Sequence, residues 1–364
     1  MKTSTFEGTT QVHARHRFDE TRLAEWLKRN MEVDTGPLRI EQFKGGQSNP
    51  TYKVFAGQRA LVLRRKPKGQ LAKGAHAIER EVQVIQALRK VNYPVAQVHA
   101  LCNDETVIGS PFYVMEFVEG RVLWDAALPK IASADRPTYY REMIQTLAKL
   151  HSVDLAQVGL QDYGRPSGYF SRQVRRWTEQ YLADRDMAGA DRHIDYLIDW
   201  LPRNLPSEER ATLVHGDYRI DNLMFHPSEP RLLAVLDWEL STLGEPLADF
   251  AYHLLMYRLP RGILGSLGGI SFPSKNIPSE QEYTEWYCAA TGRDTIENLS
   301  FYLAFALFRL AGIFHGIKAR QARGMASSAN AQLMIENLPT VSKLAWEQAA
   351  FHGLARKAGY RSFS

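Results

Sequence analysis

Two polar clusters that flank a short apolar hairpin constrain this 364-residue chain more than any other feature. The first cluster, His215 to Asn222, reads HGDYRIDN, and the second, Leu236 to Glu239, reads LDWE. The two apolar segments between them, Asn222 to Phe225 and Leu232 to Leu236, have the length of paired strands. The sequence therefore predicts a hairpin with acidic and amide side chains at both ends.

These side chains are of the kind that phosphoryl transfer requires. A carboxylate has to orient the attacking hydroxyl and accept its proton, and oxygen ligands have to hold the magnesium ions that neutralise the phosphates. Asp217, Asn222 and Asp237 supply such a set. A two-metal phosphoesterase could also use His and Asp, but it would need several more His ligands than this segment has. Two chance surface turns are the other alternative, and the order of the clusters argues against them.

The region before the clusters predicts a strand-rich lobe. Leu38 to Leu63 contains three short runs of β-forming residues separated by turns, and Val98 to Leu101 and Phe112 to Phe117 add two strands. Ala75 to Lys90 has helical periodicity. Residues 118–120 then form a predicted hinge, after which the chain is mostly helical.

This order of elements indicates an α+β fold with two lobes. We expect an N-terminal ATP-binding lobe over residues 1–118 and a C-terminal helical lobe over residues 119–364, which carries the catalytic hairpin and the acceptor site. A leading helix is predicted over Asp19 to Met31. The helices predicted in the second lobe are Arg136 to His151, Tyr169 to Asp184, Met187 to Leu201, Leu247 to Tyr257, Glu280 to Thr291, Leu299 to Arg323 and Thr340 to His352.

Composition and charge exclude several classes of protein. The chain is 45% hydrophobic and 23% charged, which is ordinary for a globular enzyme, and the basic residues behind its net charge of +5 are dispersed. Nucleic-acid binding is therefore not indicated, although anionic ligands such as ATP would be attracted modestly. The two cysteines, Cys102 and Cys288, cannot build a disulfide framework, which fits a reducing cytosol.

Neither export nor a membrane span is predicted. The N-terminus lacks the apolar run of a secretory signal. The most apolar stretch, Phe301 to Ile317, is interrupted by Arg309 and His315 and is shorter than the about 20 apolar residues that span a bilayer. We expect a buried helix there and a cytoplasmic protein.

The first cluster resembles the catalytic loop of the aminoglycoside phosphotransferase and choline kinase superfamily, whose layout protein kinases share. The similarity covers most of residues 38–330. It implies a protein-kinase-like fold and an ATP- and magnesium-dependent phosphotransferase that acts on the alcohol group of a small molecule. By the same resemblance, Asp217 would be the catalytic base, Asn222 a magnesium ligand and Asp237 the metal-binding aspartate. Whether Glu239 also binds metal stays open.

Residues 244–249 extend the similarity. The superfamily has a Gly-Asp-Pro turn followed by an aspartate that braces the catalytic loop, and here the turn is Gly-Glu-Pro. Asp249 is therefore assigned a structural role, in which it accepts backbone hydrogen bonds near His215. A helix-start aspartate that the helix dipole favours is the alternative explanation.

The phosphate-covering loop is predicted between the first two strands. Residues 45–51 are small and polar, so that backbone amides could approach phosphates without obstruction. The candidates for nucleotide binding are Gly46, Gln47, Ser48 and Asn49. A plain hairpin turn is the alternative for this segment.

A basic side chain is expected on the strand that follows. Arg64 stands where the protein-kinase pattern has lysine, and its guanidinium could hold phosphate oxygens in bidentate fashion. Arg65 and Lys66 stay open as alternatives, as does a solvated strand end. Glu81 is the expected partner because it shares a helix face with Ile78, which must point into the lobe; an ordinary surface carboxylate is the alternative.

The adenine ring is expected at the end of the last strand of the first lobe. By similarity to the superfamily, Glu116 and Val118 would bind the base through main-chain groups, and Met115 would line the pocket.

An arginine-rich segment indicates the acceptor side. On a helix, Arg172 and Arg176 can face one way beside Tyr169 and Trp177, which would suit a large anionic acceptor. A solvated basic helix whose aromatic residues pack inward is the alternative. The helical lobe has no comparable acidic cluster for a polycation, which makes aminoglycoside resistance doubtful. Leu259 to Pro278 is interpreted as a flap over the acceptor or as a long irregular loop.

The chain is similar to the branch of the superfamily whose kinase-like region also occurs fused to acyl-CoA dehydrogenases. The similar features are VLRRKP at residues 62–67 and GRPS at residues 164–167. This resemblance implies a hydroxylated acyl-CoA as a possible acceptor, whose phosphates the arginines would meet.

Three other functions compete with this hypothesis. An aminoglycoside- or choline-type kinase would share the catalytic loop. A nucleotide-binding module without turnover would be expected to lack the catalytic base or a metal ligand. This chain has all three candidate residues, Asp217, Asn222 and Asp237. A protein kinase would need an activation segment and an Ala-Pro-Glu motif, yet only eleven residues separate Asp237 from Asp249.

Overall fold

A computed structural model describes residues 8–31, 36–44, 49–67, 77–207, 210–325 and 329–357. The chain forms two compact units. The sheet unit comprises Met1–Val122, Val158–Leu160 and Leu223–Ser241, and the helical unit comprises Leu123–Gln157, Gln161–Asn222 and Thr242–Ser364. The predicted hairpin lies in the sheet unit together with Asp237, whereas Asp217 and Asn222, which precede it, belong to the helical unit.

The elements are numbered in chain order within the described residues. The strands are β1 (Thr9–Thr10), β2 (Arg39–Phe43), β3 (Thr51–Ala56), β4 (Arg59–Arg65), β5 (Val98–Cys102), β6 (Phe112–Glu116), β7 (Arg121–Val122), β8 (Thr212–Val214), β9 (Leu223–Phe225), β10 (Leu232–Val235) and β11 (Thr242–Gly244). The helices are α1 (Glu20–Met31), α2 (Ile78–Arg89), α3 (Glu105–Ile108), α4 (Arg136–His151), α5 (Leu155–Val158), α6 (Tyr169–Ala188), α7 (Arg192–Arg203), α8 (Pro246–Arg258), α9 (Phe272–Lys275), α10 (Glu280–Thr291), α11 (Leu299–Ala322) and α12 (Ala329–Lys357).

The sheet unit is built on an antiparallel sheet with the strand order β1-β2-β3-β4-β6-β5. Successive side chains of a strand point to opposite faces, so Phe112 of β6 packs beneath α1, whereas Tyr113 contacts Ile78 and Val82 of α2. Trp26 of α1 meets the Phe112 ring edge-on, with 4.9 Å between the ring centroids. The leading helix is therefore part of the core of this unit, and the predicted α+β plan is confirmed.

A second, smaller sheet in this unit leads to Asp237. Its strand order is β10-β9-β7, with antiparallel pairing throughout. The β9–β10 pair is the hairpin that the sequence predicted. Gly120 lies just before β7, and a Cβ atom on it would lie 2.5 Å from Cγ of Met224, so only glycine permits this close approach.

The helical unit is organised around α11, which packs against α6, α8 and α12. By length and composition α11 could cross a membrane, but 89% of its most apolar window is buried inside the protein. The prediction of a buried helix is therefore confirmed. Arg309 is a charged residue in the middle of this helix and is only 8% exposed.

Two predicted helix boundaries are wrong. The predicted helix from Met187 to Leu201 is interrupted, because Gly189, with φ of 84°, ends α6 and the Asp191 side chain caps the start of α7. The last helix begins well before Thr340, although Pro339 lies inside it. A proline removes one backbone hydrogen bond, and the burial of side chains between α12 and α11 offsets that loss.

Candidate active site

Arg64, at the end of β4, is surrounded by three carboxylates of the sheet unit. Its Nε lies 2.9 Å from Oε2 of Glu81, and its Nη2 lies 2.6 Å from Oδ1 of Asp237 and 3.4 Å from Oε2 of Glu239. Burial alone would lower the pKa of Arg64, but these carboxylates outweigh burial and raise it. The guanidinium therefore stays charged in a side chain that is only 8% exposed.

The two neighbouring basic residues point elsewhere. Arg65 is directed to the other side of the sheet, where Nη2 donates to the carbonyl oxygen of His16 at 3.0 Å. The Nζ of Lys66 pairs with Oε1 of Glu79 at 2.6 Å. Of the three basic side chains that the sequence left open, Arg64 is the one that the structure brings to the acidic group.

Asn49 joins this acidic group from the segment before β3. The residue is fully buried, and its Nδ2 donates to Oε1 of Glu81 at 2.9 Å and to Oε2 of Glu239 at 3.2 Å. Tyr113 adds a hydroxyl that donates to Oε2 of Glu81 at 3.1 Å. Asn49 thus ties the end of the predicted phosphate-covering loop to two carboxylates. The other predicted loop residues, Gly46, Gln47 and Ser48, lie outside the described residues.

Asp237 is held in an unusual backbone conformation, with φ of 66° in the left-handed region. This conformation is strained by about 1–2 kcal/mol for a residue with a side chain, and such strain is typical of functional sites. The next residue stabilises the turn, since Nε1 of the buried Trp238 donates to the carbonyl oxygen of Val235 at 2.9 Å. The carboxylate of Asp237 uses Oδ1 for Arg64.

The predicted adenine-binding residues lie on and after β6. Met115 pairs with Val62 of β4. The amide of Glu116 donates to the carbonyl oxygen of Gln97 at 2.9 Å, and Oε1 of Glu116 accepts from the Gln97 amide at 2.7 Å. A purine bound here would therefore need the carbonyl oxygen of Glu116, and the amide of Val118 would be a second candidate.

In the helical unit, Asp249 of α8 holds the start of the catalytic loop. Its Oδ2 accepts from the amide of His215 at 2.7 Å, and its Oδ1 accepts from the amide of Gly216 at 2.9 Å. Gly216 has φ of 81°, which glycine tolerates best. The ring Nδ1 of His215 accepts from the amide of Asp217 at 3.1 Å. Asp249 and His215 together fix the backbone that carries Asp217.

Asn222 orients Asp217 directly. The Nδ2 of Asn222 donates to the carbonyl oxygen of Asp217 at 2.9 Å and to Oδ2 of its carboxylate at 3.0 Å. Both bonds use the nitrogen, which directs the other amide atom, Oδ1, away from Asp217. An amide oxygen is the kind of ligand that magnesium accepts, together with one or two carboxylates and the phosphates of a nucleotide. The donor chemistry of Asn222 and Asp237 therefore fits magnesium.

The described part of the chain contains no group of three or more His, Cys, Asp or Glu residues that could hold a metal ion.

His151 of α4 is a residue that sequence reasoning missed. Its Nε2 lies 3.4 Å from Oδ2 of Asp249, and its Nδ1 lies 2.8 Å from the hydroxyl of Tyr287. Burial lowers the pKa of His151, while the bond to Asp249 opposes that shift. No local pattern marks this residue, because its partners are 98 and 136 residues away in sequence.

The predicted acceptor residues of α6 have other contacts. Tyr169 and Trp177 are buried, and Tyr169 packs against Gly244, where a Cβ atom would lie 2.6 Å from its ring. The Arg172 guanidinium donates to the carbonyl oxygens of Ser167 and Arg165. Arg176 lies 5.6 Å from the Trp177 ring centroid. A role of these four residues in acceptor binding stays a prediction.

A small cavity, of about 20 Å³, borders the catalytic loop inside the helical unit. Arg219, which lies 3.5 Å from Oδ1 of Asp217, forms part of its wall. The remaining lining is mostly apolar and contains no carboxylate: Ile220, Tyr252, His253, Leu255, Met256, Leu259 and Leu264. The cavity has room for a group about the size of one methyl group, and its mostly apolar lining favours an apolar one.

A profile of the phosphotransferase enzyme family matches residues 39–269. This chain belongs to that family. A crystal structure provisionally described as an aminoglycoside phosphotransferase from Ralstonia eutropha JMP134 has 46% sequence identity and a TM-score of 0.82, covering 92% of this chain and 99% of the other. The ternary complex of streptomycin, ATP and APH(2")-IIa has 13% identity and a TM-score of 0.56, covering 90% of this chain and 98% of the other, which supports the fold alone.

Curated relatives confirm the similarity to chains that carry acyl-CoA dehydrogenase names. Acyl-CoA dehydrogenase family member 10 of Mus musculus is 44% identical over 331 residues, which are 90% of this chain and 30% of the relative. Family member 11 of Gallus gallus is 44% identical over 332 residues, which are 88% of this chain and 42% of the relative. The chain thus spans less than half the length of these relatives.

Proposed function

We propose that this chain is an ATP- and magnesium-dependent kinase that transfers the γ-phosphoryl group to the hydroxyl of a small molecule. The observation that carries this function is the side-chain arrangement of Asn222, which fixes the Asp217 carboxylate with its nitrogen and keeps its oxygen for a cation. Family membership supports the same reaction class. The reaction is expected in the cytoplasm and without nucleic-acid or membrane partners.

Each polar residue has a role in this mechanism. Asp217 orients the acceptor hydroxyl and accepts its proton as the oxygen attacks phosphorus. Asn222 and Asp237 would hold magnesium, which when bound would neutralise the negative charge of the phosphates. Arg64, anchored by Glu81, binds phosphate oxygens. By the family resemblance, backbone groups of residues 46–49 would cover the phosphates, and main-chain groups of residues 116–118 would bind adenine.

A hydroxyacyl-CoA is the acceptor that the observations favour. The curated relatives are named as acyl-CoA dehydrogenases, whose substrates by that name are acyl-CoA thioesters. The small cavity that borders the catalytic loop has a mostly apolar lining, which suits a methyl or methylene group of the acceptor. An aminoglycoside is favoured less, because the sequence of the helical lobe has no acidic cluster comparable to its arginine-rich segment.

A panel assay tests this function. Purified protein is incubated with Mg-ATP and a series of hydroxyacyl-CoAs, free hydroxy acids, choline and aminoglycosides, and ADP formation and phosphorylated products are measured. Each hydroxyacyl-CoA is paired with the acyl-CoA that lacks the hydroxyl. We expect phosphorylation only when the hydroxyl is present, and better binding of the CoA thioesters than of the free acids. Free acids that bind equally well would contradict the acyl-CoA assignment.

A variant separates a kinase from a nucleotide-binding module. Asp217→Asn keeps the size of the side chain but removes the proton acceptor, so the rate is expected to fall about 10²–10⁴-fold. ATP affinity, measured by calorimetry, should remain close to that of the wild type. A variant with the wild-type rate would remove Asp217 from its proposed role, and a wild type without turnover on any acceptor would leave only nucleotide binding.

A further inference from the structure

Arg309 on α11 makes an unexpected contact with the catalytic loop. Its Nη2 donates to the carbonyl oxygen of Gly216 at 2.5 Å, and its guanidinium carbon lies 4.8 Å from the centroid of the Tyr252 ring. Among the described ranges, no acidic side chain forms an ion pair with Arg309. A buried cation that lacks a carboxylate partner is costly to keep in an apolar helix. Its position therefore calls for a reason beyond packing.

His253 on α8 holds a second carbonyl group of the same loop. Its Nδ1 lies 3.1 Å from the carbonyl oxygen of Tyr218, and its Nε2 lies 2.7 Å from the hydroxyl of Tyr283. Because a carbonyl oxygen can only accept, Nδ1 carries the hydrogen and Nε2 accepts from Tyr283. Burial lowers the pKa of His253 to about 4, so the imidazole ring is neutral near pH 7 and can hold this tautomer.

Three consecutive carbonyl groups of the loop are thus held by side chains. The carbonyl oxygen of Gly216 accepts from Arg309, that of Asp217 accepts from Asn222, and that of Tyr218 accepts from His253. The peptide groups before and after Asp217 therefore have fixed orientations. The direction of a short side chain such as aspartate follows closely from the orientation of these two peptide groups.

The hydroxyl of Tyr252 extends the arrangement to the carboxylate itself. Tyr252 forms a hydrogen bond with the Asp217 carboxylate. The pKa of Tyr252 is raised mainly by burial, and the negative charge of Asp217 raises it further. Tyr252 also lies beneath the Arg309 guanidinium. Arg309 consequently contacts both the backbone that precedes Asp217 and a ring that faces its side chain.

We propose that Arg309 and His253, here called the loop clamp, are positioning residues for phosphoryl transfer. By fixing the carbonyl groups on both sides of Asp217, the loop clamp aims its carboxylate at the acceptor hydroxyl. Misplacement of a reacting group by about 1 Å can cost about 10²-fold in rate. Because this role concerns the phosphoryl transfer proposed above, it depends on that function.

The test uses one disruptive and one conservative substitution at each position. Arg309→Met and His253→Leu remove the donors, whereas Arg309→Lys and His253→Gln keep a donor that can reach the carbonyl. For each full-length variant, kcat, the KM of ATP, the KM of the acceptor and the melting temperature are measured. We expect kcat to fall about 10–100-fold in the disruptive variants with an unchanged KM of ATP. His253→Gln and Arg309→Lys should recover at least part of kcat.

His315→Leu is the matched control. His315 lies on α11, is buried like His253, and its Nε2 bonds a backbone carbonyl oxygen, that of Gly189, at 2.8 Å. This carbonyl is far from the catalytic loop in sequence, so the variant should lose stability but keep kcat. If disruptive clamp variants lose only stability, as His315→Leu does, the clamp has no positioning role.

Two further outcomes are decisive. If the disruptive variants do not fold, the conservative ones still decide. A kcat below the wild-type value with an unchanged KM of ATP and melting temperature supports the positioning role, whereas an unchanged kcat with a lower melting temperature overturns it. A wild type without phosphorylated product on any acceptor overturns the proposed function instead. The two failures are therefore distinguishable. If only the loop-clamp proposal is wrong, the wild type is active and the substituted variants have the same kcat as the wild type.

Discussion

The Nη2 atom of Arg64 lies 2.6 Å from Oδ1 of Asp237, 173 residues later in the chain. The same guanidinium lies 2.9 Å from Oε2 of Glu81. A predicted phosphate-binding cation and a predicted metal ligand therefore share one hydrogen bond within the sheet unit. Any change at Arg64 should affect both the affinity for nucleotide and the stability of the unit.

Arg64→Met is expected to impair both properties. Removing one partner of a buried ion pair leaves the other charge uncompensated and costs about 3–5 kcal/mol, so the melting temperature should fall and the KM of ATP should rise. Arg64→Lys restores the charge without the planar fork and should recover only part of the affinity. Thermal unfolding and ATP titration measure the two effects. Lys66→Met, which breaks a more exposed pair with Glu79, is the control and should be close to wild type.

Asn49→Asp is expected to destabilise the sheet unit. The new carboxylate would face Glu81 and Glu239 at the positions where the amide now donates to them, and like charges at this distance repel. Asn49→Ala should be milder, since it loses two hydrogen bonds to charged groups worth about 1.5–3 kcal/mol each. Urea unfolding gives the order of stability. Asn30→Ala, which loses a bond to the backbone of Trp26, should cost less, and an equal cost would show that the charged partners contribute nothing extra.

Leu264→Trp is expected to affect the acceptor and not the nucleotide. The larger side chain would fill the small cavity that borders the catalytic loop and leave no room there for an apolar group of the acceptor. Contacts of this kind are worth about 1–3 kcal/mol per methylene, so the KM of the acceptor should rise about tenfold or more while the KM of ATP stays constant. Leu182→Trp, at a position that is 50% exposed, controls for the added bulk. Equal kinetics in both variants would exclude this cavity from acceptor binding.

Acid is expected to destabilise the helical unit through His253. Its folded-state pKa of about 4 lies below the value of about 6.5 in an unfolded chain. Between these values the unfolded chain binds a proton that the native state does not, so the free energy of unfolding falls as the pH decreases, by about 1 kcal/mol from pH 7 to pH 5.5. Burial also lowers the pKa of His151, which acts in the same direction. Urea unfolding at both pH values should show a smaller loss for His253→Gln; an identical loss would mean that His253 does not contribute.

Much of the sheet unit could be predicted because its signals are local. Strand alternation and turn residues located β2 to β6, and helical periodicity placed Glu81 on the face that meets Arg64. The catalytic loop could be located because its residues are close together in sequence. The pairing of Asp237 with Arg64 was not predicted, since the two residues are 173 positions apart.

The parts that sequence did not predict depend on long-range contacts. His151, His253 and Arg309 come from three different helices, and each reaches the catalytic loop or its brace from 35 to 98 positions away. Arg309 had one visible signal, a charge within an apolar run, but that signal does not identify its partner. The interruption between α6 and α7 was missed because it is very short. Gly189 ends α6, and Asp191, only two residues later, caps the start of α7.

The last segment of the sheet unit, Leu223–Ser241, follows about 100 residues of the helical unit in sequence. A ribosome that adds about 5–20 residues per second would release residues 1–122 several seconds before that segment emerges. Until then the buried positions that face β9, β10 and Trp238 have no covering partner, and Arg64 has no Asp237. Newly made chains should therefore depend on chaperones during this interval, and early termination upstream of residue 223 should yield products that aggregate.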